Sequence, residues 1–222
     1  MRIYTTILLT AFFLILPTAL NAQEETEILL GSYPYNTETV SDEIDKALEK
    51  GFIPVGIEVT PGQEIAVLYN IDEKIDANRY ILYQFDDVSK FEAEFTEFLK
   101  NGWLPMDISF TGDSVFTIFI PSPYEIEGWR LTSTSLDEDE MLGTLSDFRA
   151  QGFNPWGISG LDDRLWFLLL SFEDHEVETF FVNFYTTSDE ELKEKIKRDL
   201  SSGWKPIGLM KRGFSMSILY TR

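Results

Sequence analysis

The chain has 222 residues, with 38 Asp and Glu against 18 Lys and Arg, a formal charge of −20, 14 % aromatic residues and no cysteine. A hydrophobic content of 44 % excludes a disordered chain, and the lack of cysteine excludes a disulfide framework, a lipidated cysteine and thiolate metal sites. The acid excess argues against nucleic acid as a partner, since phosphate binding rests on Lys and Arg, and it favours solubility and attraction to cations or basic partners.

The first segment, "MRIYTTILLTAFFLILPTALNAQ", has Arg2, an apolar run from Ile7 to Leu16 and small residues at Ala19 and Ala22. It reads as a signal peptide, residues 1–22, cleaved near Ala22–Gln23. The apolar run is shorter than the ~18 to 20 residues of a membrane span, so an exported soluble protein, secreted or periplasmic, is expected. What remains is long enough to bury roughly 70 % of its unfolded surface in one core or two small ones.

From residue 23 onward one unit recurs. In residues 23–78 a strand "EILLGSY" precedes a helix with apolar Val40, Ile44 and Leu48 and a cap at Ser41. Gly51 and Pro54 stop that helix, a strand carries Val55 and Ile57, "TPGQ" turns, and "IAVLY" forms a further strand. Residues 79–127 repeat this with "RYILYQF", a helix through Phe91, Phe95 and Phe98 capped by Ser89 with Glu92, then Gly102, Pro105, Met106, Ile108, the turn "TGDS" and the strand "VFTIFI". Residues 128–177 have "WRLTSTS", a cap at Asp137, helix residues Met141, Leu145 and Phe148, then Gly152, Pro155, Trp156, Ile158 and "LWFLLL". Residues 178–222 have "TFFVNFY", a cap at Ser188 with Glu191, helix residues Leu192, Ile196 and Leu200, then Gly203, Pro206, Ile207, Leu209, a turn at Gly213 and "SMSILY". The anchoring glycines lie about 50 residues apart, each followed by an aromatic and then, two positions on, by proline. A period of that length signals repeated supersecondary units.

The apolar spacing predicts one helical stripe per unit, and Gly51, Gly102, Gly152 and Gly203 are expected in the left-handed conformation that ends a helix. The strand after each helix alternates and predicts a single apolar face, whereas the last strands of the units, apolar on both sides in three cases, are expected at the centre of a sheet. The fold class is therefore α/β (α+β), four tandem βαββ units that share a core, preferably paired one with two and three with four, with a continuous ring as the other arrangement.

The segment "WRLTSTSLDEDEMLGTLSDFRAQGFNPWGISGLDDRLWFLLL", opened by Trp129, carries this layout best. It resembles the bacterial tandem repeats attached to secreted beta-lactamase-like hydrolases such as polyglycine hydrolases. The resemblance implies paired repeats forming barrel-like lobes and a noncatalytic accessory role. The residue before the proline, an arginine in that family, is Ile53, Leu104, Asn154 and Lys205 here, and no Arg-His-Gly segment follows Trp129.

Candidate chemistry is sparse. Ser202 and Lys205 have serine-x-x-lysine spacing but straddle a helix stop. His175, the single histidine, falls in the polar linker "EDHEVE", where it is expected to be exposed. Carboxylates cluster at 137–140, 161–163 and 172–176, and calcium is the cation they would suit, but none has the D-x-[DN]-x-[DN]-G spacing of a calcium loop and nothing selects a catalytic pair. No cofactor is expected. The fifth residue after each anchoring glycine is Gly56, Gly157 and Gly208 but Asp107 in the second unit. Glycine inside a strand marks close backbone approach, so Asp107 is expected in a more open environment, facing solvent or a ligand. Tyr33, Tyr35 and Tyr124 are candidates for ligand stacking, with core and linker packing the favoured reading. The expectation is a noncatalytic binding or protein-interaction module whose partner is a protein or an envelope polymer; a secreted hydrolase using acidic residues, or an assembly subunit of the envelope, is the alternative.

Overall fold

A computed structural model describes residues 28–71, 75, 79–175, 177–186, 189–212 and 215–222. The signal peptide, the Ser188 cap and the Gly213 turn lie outside the described residues. Unit 1 is β1 (Ile28–Pro34), α1 (Thr37–Leu48), β2 (Ile53–Thr60) and β3 (Glu64–Asn70). Unit 2 is β4 (Ile81–Phe85), α2 (Val88–Lys100), β5 (Trp103–Phe110) and β6 (Val115–Pro121). Unit 3 is β7 (Ile126–Thr134), α3 (Glu138–Arg149), β8 (Asn154–Leu161) and β9 (Arg164–Phe172), and unit 4 is β10 (Phe180–Thr186), α4 (Asp189–Ser201), β11 (Lys205–Arg212) and β12 (Ser215–Thr221).

Each unit is an antiparallel three-stranded sheet, ordered β1-β3-β2, β4-β6-β5, β7-β9-β8 and β10-β12-β11. The strands β3, β6, β9 and β12, three of them doubly apolar, are thus central, where neighbours on both sides and layers on both faces bury their side chains. The described sheets do not close into barrels.

The helix ends follow the sequence motif. Gly51, Gly102, Gly152 and Gly203 have φ of 84°, 77°, 87° and 87°. The next residue's N–H folds back to the carbonyl five residues earlier: Phe52 to Ala47 at 3.0 Å, Phe153 to Phe148 at 3.1 Å, Trp204 to Asp199 at 3.3 Å, the Schellman arrangement. The helix starts differ from expectation in two units. Asn36, not Ser41, caps α1, accepting from the N–H of Glu38 and Thr39 at 2.9 and 3.2 Å. Asp87, not Ser89, caps α2 and accepts from the Ser89 N–H at 3.0 Å. The apolar stripe marks only the buried part of each helix, and the solvated first turn extends upstream of it. Asp137 caps α3 as expected, accepting from the Glu140 N–H at 2.9 Å.

Neighbouring units interlock through the first strand of one and the helix of the one before. Tyr80 Oη donates to the Ser41 carbonyl of α1 at 2.8 Å. Trp129 Nε1 donates to Thr96 Oγ1 of α2 at 3.1 Å, and its ring meets Phe91 and Phe95. Arg149 of α3 donates to the Glu178 carbonyl, at the start of unit 4. The strands after the helices, β2, β5, β8 and β11, touch in a closed cycle, β11 returning to β2. This corrects the single apolar face expected of them: Ile53 to Val59 is buried at every position, because such a strand has its own sheet at one edge and neighbouring units around the rest. The bend that admits this is a register shift after each proline, at Pro54/Gly56, Pro105/Ile108, Pro155/Gly157 and Pro206/Gly208, a bulge that increases local twist.

Candidate functional site

The inner strands converge at the residue that follows each bulge. A Cβ on Gly56 would fall 2.7 Å from Leu209 Cβ, on Gly157 2.7 Å from Asp107 Oδ1, and on Gly208 3.1 Å from Ile158 Cγ2. Glycine is therefore required there by close approach, as the sequence implied. Asp107 occupies the same place in unit 2, and it is not open to solvent: it is wholly buried. Its backbone sits at φ 137°, a region suited to glycine, at a cost of about 1–3 kcal/mol.

The carboxylate accounts for that cost. Oδ2 accepts from the N–H of Ile57 at 3.1 Å and of Leu209 at 2.7 Å, while Oδ1 accepts from that of Ile158 at 2.8 Å. The adjacent Ile108 N–H adds to the stabilisation of the charge, and the three other units each point a backbone donor at the one side chain that unit 2 supplies. Burial pushes the Asp107 pKa well up, and the surrounding N–H groups pull against it. Every one of these partners donates, so the ionised form is the one the site fits. These N–H groups belong to strands at sheet edges, where no ladder partner exists; the carboxylate supplies the acceptor that the ladder lacks.

Two residues further along the strands lie Glu58, Ser109 and Ser159, all buried. Ser109 Oγ accepts from the Val59 N–H at 2.9 Å and donates to Glu58 Oε2 at 3.3 Å, and Ser159 Oγ accepts from the Phe110 N–H at 2.9 Å. Burial, then the Asp107 charge, holds the Glu58 carboxyl well above the usual carboxylate range. Asp107 and Glu58 are thus the strongly perturbed carboxylates of the described residues, and both are sealed inside the molecule. Their chemistry is the joining of units.

The other sequence candidates separate. Tyr33 is half-buried, its hydroxyl 3.2 Å from that of Tyr69. Tyr124 stacks on His175 with ring centroids 4.0 Å apart and meets Phe172 and Trp156 edge-on. His175 is therefore half-buried in an aromatic cluster instead of exposed, because the linker folds back over β9. Ser202 Oγ donates to the Arg198 carbonyl at 2.9 Å, within the helix ending. Among the described residues no group of three or more His, Asp or Glu is arranged to hold a metal ion, and no described helix is long and apolar enough to cross a membrane. Tyr35 alone of the three tyrosines stands out, 41 % exposed, at a shallow depression with Asn36, Thr37, Ile65 and Gln84 where unit 1 meets unit 2.

The corresponding place between units 3 and 4 was not singled out by sequence. Leu136 is the counterpart of Tyr35 and of Asp86, counted from the anchoring glycines. Phe184, opposite Ser217 on β12, is the counterpart of Gln84, Ser133 and Ser32 on the first strands. Leu142 corresponds to Ser41, the residue whose carbonyl is reached by the next unit's Tyr80. These three side chains are 51 %, 49 % and 40 % exposed, and Asp137 to Glu140 lie between Leu136 and Leu142 in the chain, at the start of α3. Alignment of the four units was the signal available: each of the three is apolar where most of its counterparts are polar. No family model matches the chain, and no curated protein is found similar to it.

Proposed function

We propose that the protein is an exported, noncatalytic repeat protein that works by binding a partner at the rim between units 3 and 4. The observation that supports this is the exposure of Leu136, Leu142 and Phe184 at positions that most other units fill with polar residues. Large exposed apolar groups framed by charge mark interaction sites, and the carboxylates of the α3 start suit a protein segment that presents apolar and basic side chains together. We further read the four units as one ring and not as two paired lobes. Contact of β11 with β2, which joins the last unit to the first, supports that reading.

The test is a paired substitution, Phe184→Ser with Leu136→Asp, which installs the residues of units 3 and 2 at those places. Tagged mature protein, in both forms, is used to recover binding partners from a native envelope extract, and recovered proteins are then retitrated in purified form. The expected result is a salt-sensitive protein partner lost with the paired variant and kept with Tyr35→Ser. Equal recovery by both forms, or binding only to an envelope polymer, would sink the assignment.

A further inference from the structure

We propose that the centre of the ring is an anion-binding site of the small-carboxylate class, filled in cis by Asp107, and that its filling latches the last unit to the first. The site is made of backbone. Donors come from Ile57, Ile158 and Leu209, one from each of the other three units, and the acceptor comes from a single side chain of unit 2. Three of the four units carry glycine where the second carries Asp107, so the convergence of the strands belongs to the repeat and the ligand to one copy of it. A free carboxylate anion presents the same two oxygens, and converging N–H groups are a recurrent anion cradle.

The latch follows from the pairing of donors. Units 1 to 2, 2 to 3 and 3 to 4 are consecutive in the chain, whereas unit 4 meets unit 1 without a covalent link. Oδ2 of Asp107 bridges that joint, accepting from Ile57 of unit 1 and Leu209 of unit 4 at once. The joint has a second tie at its edge, where Lys211 pairs with Glu64. Charge favours it too: unit 4 has eight cations against six acids, and unit 1 three against thirteen. Glu58 and Lys211 are the charged groups next to the central carboxylate on the strands of that joint, and neither occupies its donors. A simple space-filling role would be served equally by asparagine, whose amide would instead turn a donor toward donors.

Asp107→Gly and Asp107→Asn decide the matter, with sodium formate and acetate as probes and sodium chloride at matched ionic strength as the reference. The melting temperature of Asp107→Gly is expected to fall, and amide exchange at Ile57 and Leu209 to rise by roughly tenfold or more, since buried donors lose their acceptor. Formate should reverse both changes saturably in Asp107→Gly, while leaving wild type and Asp107→Asn unmoved. If Asp107→Gly does not fold in chloride, its refolding yield in formate against chloride reads the same binding. An Asp107→Asn protein as stable as wild type, unchanged exchange at Ile57 and Leu209, or equal stabilisation of wild type and Asp107→Gly by formate would overturn the proposal.

Discussion

Asp107 and Phe184 both depart from the residue type that the other three units carry, and they end in opposite environments. Asp107 departs at the centre, where four strands meet; its carboxylate accepts from one N–H of each of the other three strands and is wholly buried. Phe184 departs at the rim of an outer strand, where its counterparts are serine or glutamine, and remains 49 % exposed. In a fourfold arrangement a single polar group can satisfy the centre, so a break in the pattern there completes the fold. A break at the rim adds apolar surface for which no internal contact asks, and that is where recognition is to be sought.

If that division holds, changes at the centre act on stability and changes at the rim do not. The largest effect is expected from Gly157→Ala, whose Cβ would lie 2.7 Å from Asp107 Oδ1 and 3.1 Å from its Cα; urea denaturation should show a loss of about 2–3 kcal/mol. A Cβ at Gly152 would meet nothing within 4 Å, so for Gly152→Val the φ of 87° is what counts, and a smaller loss of about 1–2 kcal/mol is expected from the same measurement. A Gly152→Val loss equal to that of Gly157→Ala would erase the distinction between close approach and backbone conformation.

Glu58 sharpens the contrast through pH. Its folded pKa is raised by burial and by Asp107, above an unfolded value of roughly 4.3. The folded protein therefore holds that proton more tightly, and the contribution is complete below the unfolded pKa and lost as pH rises toward the folded one. Glu58→Gln should flatten this decline in stability above pH ~4.3, as followed by denaturation at several pH values; an unaltered slope would mean that Glu58 does not titrate as its burial requires. The smallest effect belongs to the rim. Phe184→Ser with Leu136→Asp should shift unfolding by no more than about 0.5 kcal/mol, as exposed positions without internal partners do. A large loss there would show that these side chains hold units 3 and 4 together.

Much of the unit was legible beforehand for local reasons. The glycine that ends each helix, the proline after it, the stripe at Ile44, Phe95, Leu145 and Ile196, and the doubly apolar last strands each express a constraint within a few residues of chain. The caps at Asn36 and Asp87 were missed because several nearby residues were chemically eligible and only the solvated first turn selects among them. His175 was misplaced as an exposed group, since its stacking on Tyr124 joins residues about 50 positions apart.

The sequence by itself determined a fourfold βαββ chain with one aspartate in a glycine position, because turn chemistry and apolar periodicity act over short distances. Only the tertiary structure decided what that aspartate does. Its three partners outside its own unit, Ile57, Ile158 and Leu209, are 50, 51 and 102 residues away in the chain, and backbone N–H groups leave no mark in a sequence; their convergence exists only once the sheet edges meet.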